Sequence, residues 1–175
     1  MIWGDYQPFD PGVWGPAHEL SPDEARQAFE RLMAAKNDRI DLLRELLADN
    51  GVPLSCDDVE VQALNDWFAR EVEIDANEPT RLRPRWYAVV NDVGLFLGDC
   101  MIESNPGLRW SFNASTPDDI SFQRHVISGF ARVANPAYYA DIDRLVATYA
   151  HRVVLELAVD PHEFVKILRA ASDRA

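Results

Sequence analysis

The sequence predicts a mainly α (α+β) fold: a bundle of roughly five helices with one two-stranded antiparallel β-hairpin packed on it. Apolar residues recur at helical spacing in five separate segments, and several of these segments open with capping signals. Only residues 108–126 contain short alternating runs typical of strands. With 175 residues, 47% of them hydrophobic, the chain is expected to form one domain over residues 1–175.

Residues 1–20 are expected to form an irregular arm packed onto the body. Prolines and glycines at high density disfavour a regular element there. The same segment holds four aromatic residues that favour burial: Trp3, Tyr6, Phe9 and Trp14. The alternative is an arm that reaches a neighbouring copy of the chain, which would make the protein a structural subunit of a homo-oligomer.

The first helix has the clearest boundaries. Ser21 is the expected N-cap, Pro22 takes the first helical position and Glu24 completes a capping box. Asn50-Gly51 supplies the chemistry that ends the helix. Ser55 is the expected cap of the second helix. The five helices are predicted at residues 21–50, 55–73, 84–104, 136–157 and 161–172.

The third helix is apolar on most of its faces, which predicts that it lies in the middle of the protein. Gly94 and Gly98 are four residues apart, so they share one side and allow a neighbouring element to approach closely. A turn at 105–107 follows this helix. Alternating residues then predict strands at 108–112 and 120–126.

Charge is distributed unevenly along the chain. The formal net charge is −12; residues 1–79 carry 18 acidic and 6 basic residues, whereas residues 80–175 carry 11 of each. A negative surface repels phosphate backbones, so no nucleic-acid partner is expected. A basic protein partner is compatible with this charge. The acidic contacts expected for such a partner are Asp57, Asp58, Glu60, Glu71 and Glu73.

The dense basic cluster lies at 81–85 and contains Arg81, Arg83 and Arg85. Three arginines beside a helix start could hold an anion. The favoured interpretation is that they pair with the acidic first half of the chain.

Motifs for metals and cofactors are absent from the sequence. The four histidines are scattered without metal-ligand spacing, and neither GxGxxG nor GxxxxGK[ST] occurs. No metal and no cofactor is therefore expected. Asp92, Asp99 and Glu103 fall on one face of the third helix. The favoured interpretation is a solvated stripe, and the alternatives are a site for a hard cation or an acid–base pair. His125 and His151 are the candidate partners of such a pair.

The two cysteines are interpreted as unreactive. Cys100 lies in an apolar helix, where a free cysteine usually behaves as a small hydrophobe. Cys56 lies beside Asp57 and Asp58, which oppose a thiolate. Two cysteines form no dense disulfide framework, and no signal segment or membrane span is apparent, so a reducing, cytoplasmic location is expected.

A helix carrying Leu97, Gly98 and Asp99, followed by a strand with Gly107 and Trp110, resembles uncharacterised bacterial domain families. The likeness covers about the middle third of the chain. It implies a bacterial protein with an α-rich fold, encoded near toxin–immunity or stress loci.

Three functions are compatible with these features. The leading expectation is a non-catalytic protein-binding or regulatory domain of immunity type, because charge is one-sided and no catalytic motif is present. The alternative is a small enzyme that uses Asp99 and Glu103 with His125 nearby. The second alternative is the structural subunit of a homo-oligomer described above.

Overall fold

The structure, a computed structural model, describes residues 1–13 and 15–175. Five α-helices, a short 3₁₀ helix at Ala17–Glu19 and one antiparallel strand pair form the described fold, which confirms the predicted mainly α class. The helices are α1 (Pro22–Asp49), α2 (Asp58–Glu71), α3 (Pro84–Ser104), α4 (Ile142–Val154) and α5 (Glu163–Arg174). The strands are β1 (Arg109–Phe112) and β2 (His125–Ser128).

Helix α1 begins as the sequence predicts. The Ser21 hydroxyl accepts a hydrogen bond from the Glu24 backbone N–H, and the Glu24 carboxylate accepts one from the Ser21 N–H. This capping box satisfies two N–H groups that have no partner within the helix. The helix packs against α3 through a buried stripe that includes Leu32, Ile40 and Leu43.

Helix α2 begins later than predicted. Asp57, not Ser55, is its N-cap: the Asp57 carboxylate accepts hydrogen bonds from the N–H groups of Val59 and Glu60. The Ser55 hydroxyl instead donates to Asp57. The negative charge of a carboxylate is also stabilised at the positive end of the helix dipole, which explains why Asp57 and not Ser55 is the N-cap.

Helix α3 is the centre of the molecule. It packs against α1, α4 and α5, and Trp86, Val89 and Leu97 on it are fully buried. Its two glycines work as predicted. A Cβ at Gly94 would lie 3.3 Å from the Asp143 Cα, and one at Gly98 would overlap the ring of Trp110. The glycines therefore let α4 and strand β1 approach the helix backbone.

The hairpin differs from the prediction in its second strand. Strand β1 pairs antiparallel with β2 in the register Trp110 to Ile127, so β2 covers 125–128 and not 120–126. Residues 120–124 form turns, and Gln123 adopts a φ of 61°. A non-glycine residue in this left-handed region cannot continue a strand. The alternation at 120–126 was therefore a misleading signal.

Helix α4 was predicted from 136 but begins at Ile142. Its N-cap is Asp141, whose carboxylate accepts a hydrogen bond from the Arg144 N–H. The preceding chain is held elsewhere, because Ala140 and Ile127 exchange backbone hydrogen bonds in an isolated bridge. This pairing to β2 keeps residues 136–141 extended or turned. Helix α5 begins at Glu163, two residues after the predicted start.

The aromatic arm packs onto its own chain, as expected. Tyr6 is only 3% exposed, and the Trp3 ring contacts the Trp86 ring at a centroid distance of 5.7 Å. The amide of Asn50 joins the arm to the end of α1 through hydrogen bonds with the backbone of Ile2. Trp14 lies outside the described residues.

No helix in the described part of the chain combines the length and the apolar character that crossing a membrane requires.

Replacing Gly98 with alanine is expected to lower the free energy of unfolding by about 1–3 kcal/mol, because the new methyl group overlaps the Trp110 ring. Urea unfolding measures this change. Gly107→Ala is the matched control, since a Cβ there meets its nearest neighbour at 3.7 Å, an ordinary contact. Equal losses in both variants would contradict the close-packing role of Gly98.

Candidate functional site

Asp99 is engaged by two side chains of the protein itself. The Lys36 ammonium forms an ion pair with its carboxylate, and the Trp110 Nε1–H donates a hydrogen bond at 2.9 Å. Both partners are themselves partly buried. Asp99 therefore links α3 to α1 and to strand β1, which is a structural role.

Glu103 and His125 lie in different surroundings from Asp99. Glu103 is exposed at the end of α3. His125 contacts Asp143, with 2.7 Å between Nε2 and Oδ2, and its ring lies 5.8 Å from that of Trp110. Trp110 therefore contacts both Asp99 and His125. The cavity lined by His125 includes neither Asp99 nor Glu103. The three candidates thus share no catalytic pocket in the described structure.

The second candidate base, His151, is also occupied locally. Its Nδ1 lies 2.8 Å from the Ala147 carbonyl within α4, and its ring contacts that of Tyr87 at 6.3 Å. Nothing in this geometry links His151 to Asp99 or Glu103.

Asp92 corrects the idea of a solvated carboxylate stripe on α3. Its side chain is completely buried and forms an ion pair with Arg39. The Arg39 Nε and Nη2 donate to the two Asp92 oxygens at 3.1 and 2.5 Å, and the Tyr6 hydroxyl donates as well. A planar guanidinium matches a carboxylate in this two-bond geometry. Asp92 therefore joins α3 to α1 and to the arm.

Burial changes the protonation chemistry of this cluster. Loss of hydration raises the pKa of Asp92, although the hydrogen bonds from Arg39 and Tyr6 oppose that change. Burial, followed by the adjacent Asp92 charge, also raises the pKa of the Tyr6 hydroxyl. The phenol therefore stays protonated and remains a donor to Asp92.

Most of the acids expected to contact a partner are engaged within the chain. Asp57 caps α2, Asp58 pairs with Arg169, and Glu73 pairs with Arg83. Glu71 pairs with Arg70 and is 22% exposed. Glu60 is half-buried. These pairs lie at the surface, where an ion pair contributes only about 0–1 kcal/mol, so a partner can displace them at low cost.

The arginine cluster pairs as the favoured interpretation predicted. Arg81 bonds to Glu78 and Arg83 to Glu73, at 2.9 and 2.7 Å. The Arg85 guanidinium lies over the Trp3 ring, 5.2 Å from its centroid. The contacts of the cluster therefore stabilise the connection at residues 73–85 and the docked position of the arm.

The expectation that the two cysteines are free was wrong. Cys56 and Cys100 form a disulfide that joins the segment before α2 to the last turns of α3. Their Cα atoms lie 5.4 Å apart, and Cys100 is 1% exposed. Cys100 therefore fills space in the core as expected, but as half of a covalent link.

Within the described ranges, no group of three or more His, Cys, Asp or Glu side chains is placed to hold a metal ion.

An acidic stripe on α1 was missed by the sequence interpretation. It consists of Asp38, Asp41, Glu45 and Asp49, all exposed. Their spacing of three, four and four residues places them on one helix face, which is a signal that the sequence contained. Asp41 pairs with Arg44, whereas the other three have no cationic partner within 4 Å among the described residues.

Comparison with protein-family models, with curated proteins and with solved structures found no match to this chain.

Proposed function

We propose that this chain is a non-catalytic protein-binding or regulatory domain, of immunity type and of bacterial origin, that recognises a basic partner protein. The observation that carries the proposal is the acidic stripe on α1. Three of its four carboxylates lack an intramolecular cation in the described structure, so their charge is available to a partner. The net charge of −12 adds a long-range attraction for such a partner.

Electrostatic contacts of this kind mainly raise the rate of encounter and select the partner. The stripe continues the acidity of the first half of the chain, in which acids outnumber bases by 18 to 6. Asp58, Glu60 and Glu73 extend the proposed contact set. Of these, Asp58 and Glu73 have to exchange their intramolecular arginines for cations of the partner.

The predicted cytoplasmic location stays a prediction, and the disulfide argues against it. Disulfides persist in oxidising compartments and are rare in cytosolic proteins. We therefore propose an oxidising compartment as the working location. Protein taken directly from its native cell and alkylated at once should show no reactive thiol. Two alkylated cysteines would restore the cytoplasmic prediction.

The triple variant Asp38→Asn, Glu45→Gln, Asp49→Asn removes the three carboxylates without an intramolecular cation and is expected to lose at least about tenfold in retention of a basic protein from host lysate at low salt. Binding of the unchanged protein should also weaken as salt rises, because salt screens surface charge. The measurement is quantitative affinity capture, with identification of the retained proteins and their isoelectric points.

The matched control is Asp118→Asn, Glu156→Gln, Asp173→Asn, which removes three exposed acids from the second half of the chain. Both variants change the net charge equally, so only a localised surface separates them. A third variant, Asp58→Asn, Glu60→Gln, Glu73→Gln, tests the contacts around α2. If the first variant and the control lose retention of the basic protein equally, net charge alone explains the binding and no localised surface is needed. Capture of no protein, together with a purely monomeric native mass, would also defeat the proposal.

A further inference from the structure

A cavity of about 430 Å³ lies between the arm, α1, α3 and the start of β2. This volume falls within the range of small-molecule sites, about 300–1,000 Å³. Its walls are mainly apolar and include three aromatic rings, Phe9, Phe29 and Tyr87. Its polar part is formed by Asn91, Gln123, Arg124, His125 and Asp143. An apolar chamber with a few converging polar groups is the usual form of a ligand site.

Larger depressions, of about 710 and 720 Å³, lie elsewhere on the surface. One of them surrounds the Glu73–Arg83 ion pair, and the other surrounds the Asp58–Arg169 pair. The side chains of both ion pairs are exposed. The smaller cavity is different because Gln123 and Asp143, which line it, are buried and each has an oxygen without a hydrogen-bond partner in the described structure.

The hydrogen-bonding capacity of this polar part is only partly used. Asp143 is 6% exposed, and its Oδ1 has no hydrogen-bond partner in the described structure. The Gln123 amide donates to the carbonyls of Ala17 and Leu20, which directs its unpartnered Oε1 away from them. Both oxygens are closed off from solvent, and Asp143 Oδ1 lies against Gly94, so an acceptor that a ligand can reach has to come from another group of this polar part.

The histidine supplies the accessible acceptor. His125 Nε2 is buried and lies 2.7 Å from Asp143 Oδ2, at ion-pair distance but off the line of a hydrogen bond. A carboxylate accepts hydrogen bonds and cannot donate them when ionised, so it favours the proton on Nε2. The other ring nitrogen, Nδ1, then has a lone pair. The His125 side chain is 13% exposed, and because Nε2 is buried, the exposed surface belongs to the other atoms of the side chain.

Arg124 does not compete for the role of acceptor, because it is a donor that is already engaged. Its Nε donates to Asp141 at 3.0 Å, and its Nη2 lies 3.9 Å from Asp143. Arg124 offsets one of the two carboxylate charges near His125, so the site keeps a negative charge when the imidazole is neutral and disfavours an anionic ligand. A neutral ligand that brings one N–H or O–H donor therefore suits the site.

We propose that this cavity binds a small neutral aromatic molecule that carries one O–H or N–H donor, and that His125, oriented by Asp143, accepts the hydrogen bond. The aromatic walls select a ring, since aromatic pairs add to the gain from burial. The site uses residues different from those of the proposed partner surface, so the two proposals stand or fall separately.

The test compares three probes of similar shape: para-ethylphenol, para-ethyltoluene and para-ethylbenzoate. Binding is measured by NMR titration at mildly alkaline pH. The unchanged protein should bind the phenol about tenfold more tightly than the toluene, which is the effect of one hydrogen bond. The benzoate, which brings a charge and no donor, should bind most weakly.

Two variants locate the binding. His125→Phe keeps an aromatic ring beside Trp110 but removes the acceptor, so it should bind the phenol and the toluene equally. Ala28→Phe adds a ring to the cavity wall and should abolish binding of all three probes. The matched controls are His162→Phe, at the exposed residue just before α5, and Ala34→Phe on the exposed part of α1, and both should bind as the unchanged protein does. Circular dichroism confirms that each variant is folded.

Because the two variants act independently, loss of folding in one leaves the other decisive. The proposal is overturned if no probe binds the unchanged protein, or if the phenol has no advantage over the toluene. It is equally overturned if His125→Phe keeps that advantage, or if Ala28→Phe binds as well as Ala34→Phe.

Discussion

Asp92→Ala is expected to lower the free energy of unfolding by about 3–5 kcal/mol, because it leaves the buried Arg39 guanidinium without a counter-ion. The Tyr6 hydroxyl loses its acceptor in the same step. Arg39 keeps its hydrogen bond to the Gln7 carbonyl, at 2.7 Å, and its position over the Tyr6 ring. Chemical denaturation followed by circular dichroism measures the loss.

Asp99→Ala is the matched control for Asp92, since both acids lie on α3. Asp99 pairs with Lys36 in a partly exposed position, so its loss should cost only about 1–2 kcal/mol. In an Arg39→Met background, Asp92→Ala should cost less than in the unchanged protein, because no charge is then stranded. Similar losses for the two aspartates, or additive effects of Arg39→Met and Asp92→Ala, would contradict the buried ion pair.

Removing the disulfide through Cys56→Ala and Cys100→Ala is expected to cost about 4 kcal/mol of unfolding free energy. The two cysteines are separated by 44 residues in the sequence. A cross-link that closes a loop of this length lowers the conformational entropy of the unfolded chain, and this entropy loss corresponds to about 4 kcal/mol. Urea unfolding with and without a reductant measures it.

Reduction of the unchanged protein should reproduce most of the loss seen in the double variant, and the reductant should have no effect on that variant. The intact oxidised chain should also weigh two hydrogens less than the reduced chain. If reduction changes the stability by less than about 1 kcal/mol, the link does not constrain the unfolded chain as described.

Local chemistry was predicted well from the sequence. The capping box at Ser21 and Glu24 and the close approach at Gly98 depend on neighbouring residues or on one helix face, so their signals are present in the chain itself. The bounds of α3 follow from an unbroken apolar pattern between Pro84 and the turn after Ser104.

Long-range pairing was not predictable in the same way. Tyr6 and Asp92 are 86 residues apart, and Cys56 and Cys100 are 44 apart, so no local pattern indicates either contact. The error in the second strand involves long-range contacts as well. Alternation at 120–126 is compatible with a strand, but Gln123 has a left-handed backbone and its side chain donates to the carbonyls of Ala17 and Leu20, more than 100 residues away.

The arm places Trp3 against Trp86, whose ring also lies 5.6 Å from that of Trp67. Three indoles at such distances couple their electronic transitions, and that coupling depends steeply on their separation and mutual angle. Release of the arm would therefore change the near-ultraviolet circular dichroism while the far-ultraviolet helical signal persists. The protein thus carries its own optical reporter of whether the first residues are docked, with no need for a dye or a label.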